Sequence, residues 1–352
     1  MPKSKTLVAA ISSILIALAA SFAYEHWRGR DSSSGRADIL SHMPADANAV
    51  VFVDLVQLRS SPFLARLLAW APQATPDKDY AQFLQATGFN YERDLDRLAL
   101  ALNRQPQSLA AFAIAEGRFD RKKIDAYVSQ FGSLKTADGK TLYAVPMTGA
   151  SRKAFFVFLR EDRVAWANDS SYFQRPATGS PSEWREHFSR LAGTPLFVLL
   201  RPDSSAVSTL AQAPGGFRSP QLAALLGQLQ WISIAGKPDG NVLRVVIDGE
   251  CPSENPIHQL RELLSGLVIM VQAGLNDPKT RKQLDSQLRE SYLELLQSVD
   301  IQQLDRGASK SIRIVFDVTP KLLESAQNAP ASADPPKVTP PTLHSSKSNN
   351  SR

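Results

Sequence analysis

The sequence predicts an α+β fold, an antiparallel sheet layered with helices on one face, behind an N-terminal apolar segment. Three observations carry this. Several segments alternate apolar and polar residues at the period of a half-buried strand; in Ser311–Val318, Ile312, Ile314, Phe316 and Val318 oppose Arg313 and Asp317. Helical periodicity falls between predicted hairpins rather than after every strand. The same order of strand, capped helix, hairpin and helix also occurs twice, as two divergent repeats.

Residues 1–30 read as an anchor or signal segment. Leu7–Tyr24 is an unbroken apolar run behind Lys3 and Lys5, close to the roughly 20 residues a spanning helix needs. The preceding lysines keep the N-terminus cytoplasmic and send the body across. Trp27 and Arg28 would close a transmembrane helix at the far interface, whereas Ser21-Phe22-Ala23 also fits a cleavage site that would free the body after Ala23. Arg28–Asp38 (RGRDSSSGRAD) is a polar stretch with consecutive Ser and Gly, and residues 31–42 are expected to form a flexible linker.

The first repeat is assigned to residues 43–192 and the second to 193–324. Ser61–Leu68 (SPFLARLL) matches Ser219–Leu226 (SPQLAALL) at six of eight positions, each opening on a Ser N-cap with Pro at the first helical position. A strand precedes each, Ala49–Leu55 and Pro195–Leu200. A hairpin follows each. In the first copy it is Leu98–Leu102 with Leu109–Gly117; in the second, Trp231–Ala235 with Asn241–Gly249 turning at Pro238-Asp239-Gly240. Glu116-Gly117 thus corresponds to Asp248-Gly249. The helix after the first hairpin carries Ile124, Tyr127, Val128 and Phe131 on one face. The second is longer, opens at Pro256 and carries Leu260, Leu263, Leu264, Leu267 and Val271. Its apolar run Leu263–Leu275 is too short to span a bilayer and predicts a core helix.

Between the repeats, Thr141–Pro146 and a hairpin of Ala154–Arg160 and Arg163–Asn168 are added strands. One helix is predicted over about Pro278–Val299, ahead of the final strand. Residues 325–352 hold five prolines among Ser, Asn and Ala, a composition that buries too little surface to order, so a disordered tail is expected.

The chain has 40 basic and 34 acidic residues, a net charge of +6. Four of the basic residues and one acidic lie in 1–30, and three and one in 325–352, so the body carries only +1. Such a body has no electrostatic footprint for a phosphate backbone, and nucleic acid is not an expected partner. Cys251 is the sole cysteine. It can form neither an internal disulfide nor a CxxC site, and reads as a small buried side chain.

Familiar catalytic motifs are missing: no dinucleotide glycine fingerprint, P-loop or HExxH, and no GxSxG or SxxK in the body. The body's three histidines, His42, His187 and His258, come from distant segments. His187 shares a helical face with Trp184, Phe188 and Leu191. The richest carboxylate group, Glu92, Asp94 and Asp96, is interleaved with Arg93 and Arg97, which favours ion pairing over acid–base work. Asp54 ends an apolar strand, where it caps the following turn or lines a site. No catalytic, cofactor or metal residue is assigned, and no cofactor is implied.

The string Pro44-Ala45-Asp46, VVFVDL, LRSSP, TGFNYERDLDRLALAL (Thr87–Leu102) and AEGRFD (Ala115–Asp120) resembles an uncharacterised family of exported, membrane-anchored bacterial envelope proteins. The resemblance covers about Met43–Phe131 and implies compartment and fold but no activity. The expectation is a non-enzymatic binding or scaffold protein, single-pass in the inner membrane through residues 7–24, with its body in the periplasm facing an envelope protein or a second copy of itself. The alternatives are an envelope hydrolase with a site between the repeats, involving Asp54, Glu92 or Asp94, and a small-ligand sensor.

Overall fold

The computed structural model describes residues 32–63, 78–104, 109–137, 140–146, 153–174, 180–202, 220–307 and 309–328. Within them lies one twelve-stranded antiparallel sheet in the order β11-β12-β10-β9-β8-β1-β2-β3-β7-β6-β5-β4. The α+β class holds.

The strands are β1 (Ala49–Asp54), β2 (Leu95–Arg104), β3 (Leu109–Gly117), β4 (Ser133–Ala137), β5 (Lys140–Pro146), β6 (Lys153–Arg160), β7 (Arg163–Ala167), β8 (Leu196–Leu200), β9 (Trp231–Asp239), β10 (Val242–Cys251), β11 (Asp300–Asp305) and β12 (Lys310–Val318). At the centre β1 pairs with β8, far away in sequence, in the register Val51↔Val198 and Phe52↔Phe197. From this junction the order runs outward through β2, β3 and β7 on one side and through β9, β10 and β12 on the other.

Helices cover both faces, which corrects the one-faced layering predicted. β1 shows why. Its continuous apolar run is buried on both sides, Val50 and Phe52 in one cluster and Val51 and Val53 in another. The first face is covered by α1 (Ser32–Ser41), through Ile39 and Leu40, and by α6 (Ser182–Arg190), through Trp184 and Phe188. On the second face lie α2 (Leu55–Arg59), α3 (Lys78–Thr87), α4 (Tyr91–Asp94), α5 (Arg121–Phe131), α7 (Pro220–Leu226) and α8 (Glu254–Asn276).

α1 replaces the expected flexible linker over residues 32–41. Its Ser- and Gly-rich first turn has little helix propensity, but Arg36, Ile39 and Leu40 recur at helical spacing and are buried. Arg36 donates to the carbonyls of Leu191 (2.6 Å) and Thr194 (2.9 Å), and its guanidinium lies 4.7 Å from the Phe52 ring centroid and 5.3 Å from that of Phe197. Those two rings stack at 5.3 Å with 23° between their planes. The linker's sequence therefore meets strands about 150 residues apart, a contact no local pattern reveals.

Other elements depart from expectation for local reasons. The single helix predicted over Pro278–Val299 is two, α9 (Pro278–Gln283) and α10 (Ser286–Gln297). Asp285 breaks it by capping α10, accepting from the N–H groups of Gln287 (2.9 Å) and Leu288 (3.0 Å). α8 begins at Glu254, two positions before Pro256, and only its first third is buried. Ile269 and Met270 are exposed, so the predicted core role of Leu263–Leu275 fails in its second half. The edge strands β4 and β11 went unpredicted because they are too polar to alternate. Residues 325–328, placed in the tail, belong to α11 (Pro320–Asn328), where the Ser325 hydroxyl is buried 3.0 Å from that of Ser291. The rest of the tail, the apolar run Leu7–Tyr24 and parts of the two matched Ser-Pro segments lie outside the described residues. Among the described residues no helix is long and apolar enough to cross a membrane.

Because Phe197 is fully buried at the β1–β8 junction, Phe197→Ala should lower unfolding free energy by ~3–5 kcal/mol. Urea titration of the full chain, followed by circular dichroism, measures this; a loss below ~1 kcal/mol would refute the central role given to this contact.

Candidate functional site

The face under α1 and α6 concentrates the protein's buried charge into two groups at opposite ends of the strands. The first follows a row across the sheet, Asp54↔Arg97↔Glu116↔Arg163. Alternation brings these side chains to one face, and each is no more than 14% exposed. Arg97 Nε donates to Asp54 Oδ2 (3.2 Å) and Nη1 to Glu116 Oε2 (2.7 Å). Arg163 donates to Glu116 Oε1 (3.3 Å) and to Asp38 of α1, which also accepts from Arg160 (2.9 Å).

Asp54 caps the following turn, one of the two roles the sequence left open, and also pairs with Arg97. Its Oδ1 accepts from the Gln57 N–H (3.0 Å) to open α2, while Oδ2 holds Arg97. Burial works to lower the Arg97 pKa, but the adjacent Asp54 and Glu116 carboxylates outweigh it and leave it above the ordinary arginine value. Hydrogen bonding from Arg163 holds the Asp38 carboxyl below the usual carboxylate range against partial burial. Every charge in the row is matched.

The second group joins α6, β10 and β12. Glu250 Oε1 accepts from Arg190 Nη1 (2.6 Å) and Arg306 Nη1 (3.2 Å), and His187 Nδ1 lies 3.7 Å away. Arg313 grips Asp248 with two bonds (2.8 and 2.9 Å), and Arg306 adds a third (3.1 Å). The His187 ring sits 4.2 Å from that of Trp231. Burial holds its pKa below the ordinary histidine value, against the pull of Glu250.

A glycine follows the carboxylate in both places because the backbone is crowded there. A Cβ on Gly117 would stand 2.2 Å from the Asp94 carbonyl oxygen, and one on Gly249 2.9 Å from a Leu229 methyl.

The residues singled out from sequence do not converge. Asp94 is held by Arg93 (2.9 Å) and the Asn90 N–H (2.9 Å), Asp96 by Arg59 (3.4 Å), and Glu92 is exposed. His42 bonds the Asp38 carbonyl (2.6 Å), and His258 pairs with Glu262 (3.0 Å) on the surface. Cys251 is buried in the α7–α8 cluster with its Sγ 3.7 Å from Ser253 Oγ. Among the described residues no three His, Cys, Asp or Glu side chains could hold a metal ion. Sequence reading missed Arg97, Glu116, Arg163, Glu250, Arg306 and Arg313 as groups. The signal that could have found them is a charge at a core-facing position of an alternating strand, as at Glu116 in LAAFAIAEG.

Two open hollows flank the β9–β10 turn. One, about 450 Å³, is lined by residues including Gln57, Ser60, Pro195, Lys237 and Asn241. The other, about 280 Å³, lies over Ala235 and Val246 beside Arg244. Their linings offer hydrogen-bonding groups and charge of both signs, Arg244 pairing with Asp239 (3.1 Å), and no histidine or cysteine among the described residues.

No family model matches the chain, and no curated protein does. Among solved structures it is similar to three described as crystal forms of TP0453. Form I aligns with a TM-score of 0.41 at 9% identity over 86% of this chain and 98% of that one. Forms IV and III align at 0.44 and 8% identity over 82% of this chain, covering 95% and 97% of those chains. Likeness this loose carries no functional argument.

The buried His187 gives a pH signature. Its folded pKa lies below the unfolded value of 6.5, so below that pH the unfolded state binds the additional proton and stability falls as pH falls. The urea midpoint should therefore drop between pH 7 and 5, and His187→Gln should flatten that segment of the profile. An unchanged slope in the variant would contradict the assignment.

Proposed function

We propose that the chain is a membrane-tethered, non-enzymatic binding or scaffold module of the bacterial envelope, with its body in the periplasm. The observation that carries this is the pairing of the buried and half-buried carboxylates among the described residues: Asp54, Asp94, Glu116, Asp248 and Glu250 all lie against guanidinium groups. A carboxylate whose oxygens are already engaged by guanidinium groups is occupied, and is poorly placed to exchange a proton with a substrate. The apolar run Leu7–Tyr24 behind Lys3 and Lys5 supports the tether and the direction of export.

The body reads as two diverged copies of one unit, with β1, the segment opening at Ser61 and the β2–β3 hairpin answering β8, α7 and the β9–β10 hairpin, and with α1 and α6 as the helices that cover them. Three correspondences support this. β1 and β8 meet as antiparallel partners, and the order outward from them is matched. A carboxylate before a glycine faces an arginine on the next strand in both halves, Glu116↔Arg163 and Asp248↔Arg313. The covering helix ties into the charge group each time, through Asp38 in one and Arg190 in the other. A duplicated, charge-balanced sheet with saturated interior ion pairs suits holding a partner better than turning over a substrate.

Two measurements test the reading. The full chain should remain with membranes through alkaline carbonate extraction and retain its N-terminus; a mature protein beginning at Tyr24 would remove the tether. Incubation with ester, peptide and glycan panels should show no turnover. Hydrolysis that Asp54→Ala abolishes would replace the scaffold with an enzyme.

A further inference from the structure

We infer that the second half of α8, together with α9, is a docking surface for an anionic phospholipid bilayer. This inference rests on the tethered reading above. α8 has 23 residues, ~34 Å of helix, yet its buried residues Pro256, Ile257 and Leu260 all lie near its start. Beyond Leu264 it leaves the sheet's apolar cluster and leans on α10, where Gln272 Nε2 donates to the Leu296 carbonyl (3.2 Å). Its free face there presents Gly266, Ile269, Met270, Ala273 and Gly274, an exposed strip with no charged side chain. Ile269 is 66% and Met270 56% exposed, the two most exposed large apolar side chains among the described residues.

Charge identifies the occupant. The chain passes from α8 through Asp277 into α9, whose sequence PKTRKQ holds three cations and no carboxylate. Arg281 and Lys282 are exposed, and the side chain of Arg281 bonds Asn276 (3.5 Å). Protruding aliphatic side chains beside such cations suit the boundary between acyl chains and anionic headgroups.

Position agrees. The cross-strand row of Val53 runs through Leu196, Gly236 and Val245 to Phe316 on β12. The strand end marked by Asp54 is therefore also the end marked by Asp317. Gly35 near the start of α1 packs against Arg97 at that end. Ser298, two residues beyond Leu296, accepts from the Asp317 N–H (3.1 Å) at the same end. The chain thus enters the body from Leu7–Tyr24 at the strand end that the second half of α8 reaches, α1 lying on one sheet face and α8 on the other. β1 and β12 are four strand spacings apart, ~20 Å, and the seven residues Glu25–Asp31 reach up to ~25 Å. Tether and α8 can meet one bilayer together.

The test places a nitroxide at Ile269→Cys, and separately at Met270→Cys, in the full chain carrying Cys251→Ala. Lys135→Cys on the far edge strand β4 is the reference. Vesicles are phosphatidylethanolamine with phosphatidylglycerol, or phosphatidylcholine alone, and flotation reports the tether in either. In anionic vesicles the ratio of oxygen to nickel-chelate accessibility at 269 and 270 should rise several-fold over Lys135, and Arg281→Glu with Lys282→Glu should cut that rise by at least half. A chain that floats while 269 and 270 stay as water-accessible as 135 overturns docking and leaves the tether standing. A chain that floats with neither vesicle overturns both. Spin–spin broadening at 269 without lipid assigns the face to a second copy and also overturns docking.

Discussion

The pairing of β1 with β8 is the constraint on which the rest of the molecule depends. It joins two segments about 150 residues apart into one sheet, and its loop-closure entropy must be met by packing on both faces at once. Phe52 and Phe197 supply this on one side, stacked across the seam at 5.3 Å, and Val51, Val53 and Val198 on the other. Arg36 then bolts α1 over the seam, its charge shared between two carbonyls and two aromatic rings. Each flank of the sheet is built outward from this contact by hairpins that need only local pairing.

The buried ion groups complement that seam. Breaking one partner of such a pair leaves an uncompensated buried charge, which is costlier than never having had the pair. In a twelve-stranded sheet a one-residue slip would turn every core side chain outward. A guanidinium that finds its carboxylate only in the native register, as Arg97 does with both Asp54 and Glu116, penalises that slip. The charges thereby act on register and specificity, consistent with a module whose interior is committed to its own architecture.

The two flanks end differently. One is extended by four further strands, β7 through β4, the other by the α8–α10 arm and two strands. The added hairpin makes more sheet, whereas the arm places much of its apolar surface outside it. This asymmetry separates a rigid centre from an end with exposed aliphatic and cationic character.

Much of the architecture was legible in the chain alone. Short apolar runs and alternating segments located β1–β3, β5–β10 and β12, and the Asp-Gly hairpin cue, the Glu-Gly and Asp-Gly correspondences and the helical face of α5 were all local signals. Charge distribution showed that the body is neutral. Three features were decided only in the tertiary structure. α1 is a helix because Arg36 and Ile39 find buried partners on β1, β8 and the α6–β8 connection, which outweigh a poor local propensity. β4 and β11 are strands because a neighbour's unpaired backbone groups recruit them, whatever their side chains. The carboxylates read as separate candidates, Asp54, Glu92 and Asp94, part company, and Asp54 instead joins Arg97 and Glu116, because sheet register sets which side chains share a row and sequence spacing does not.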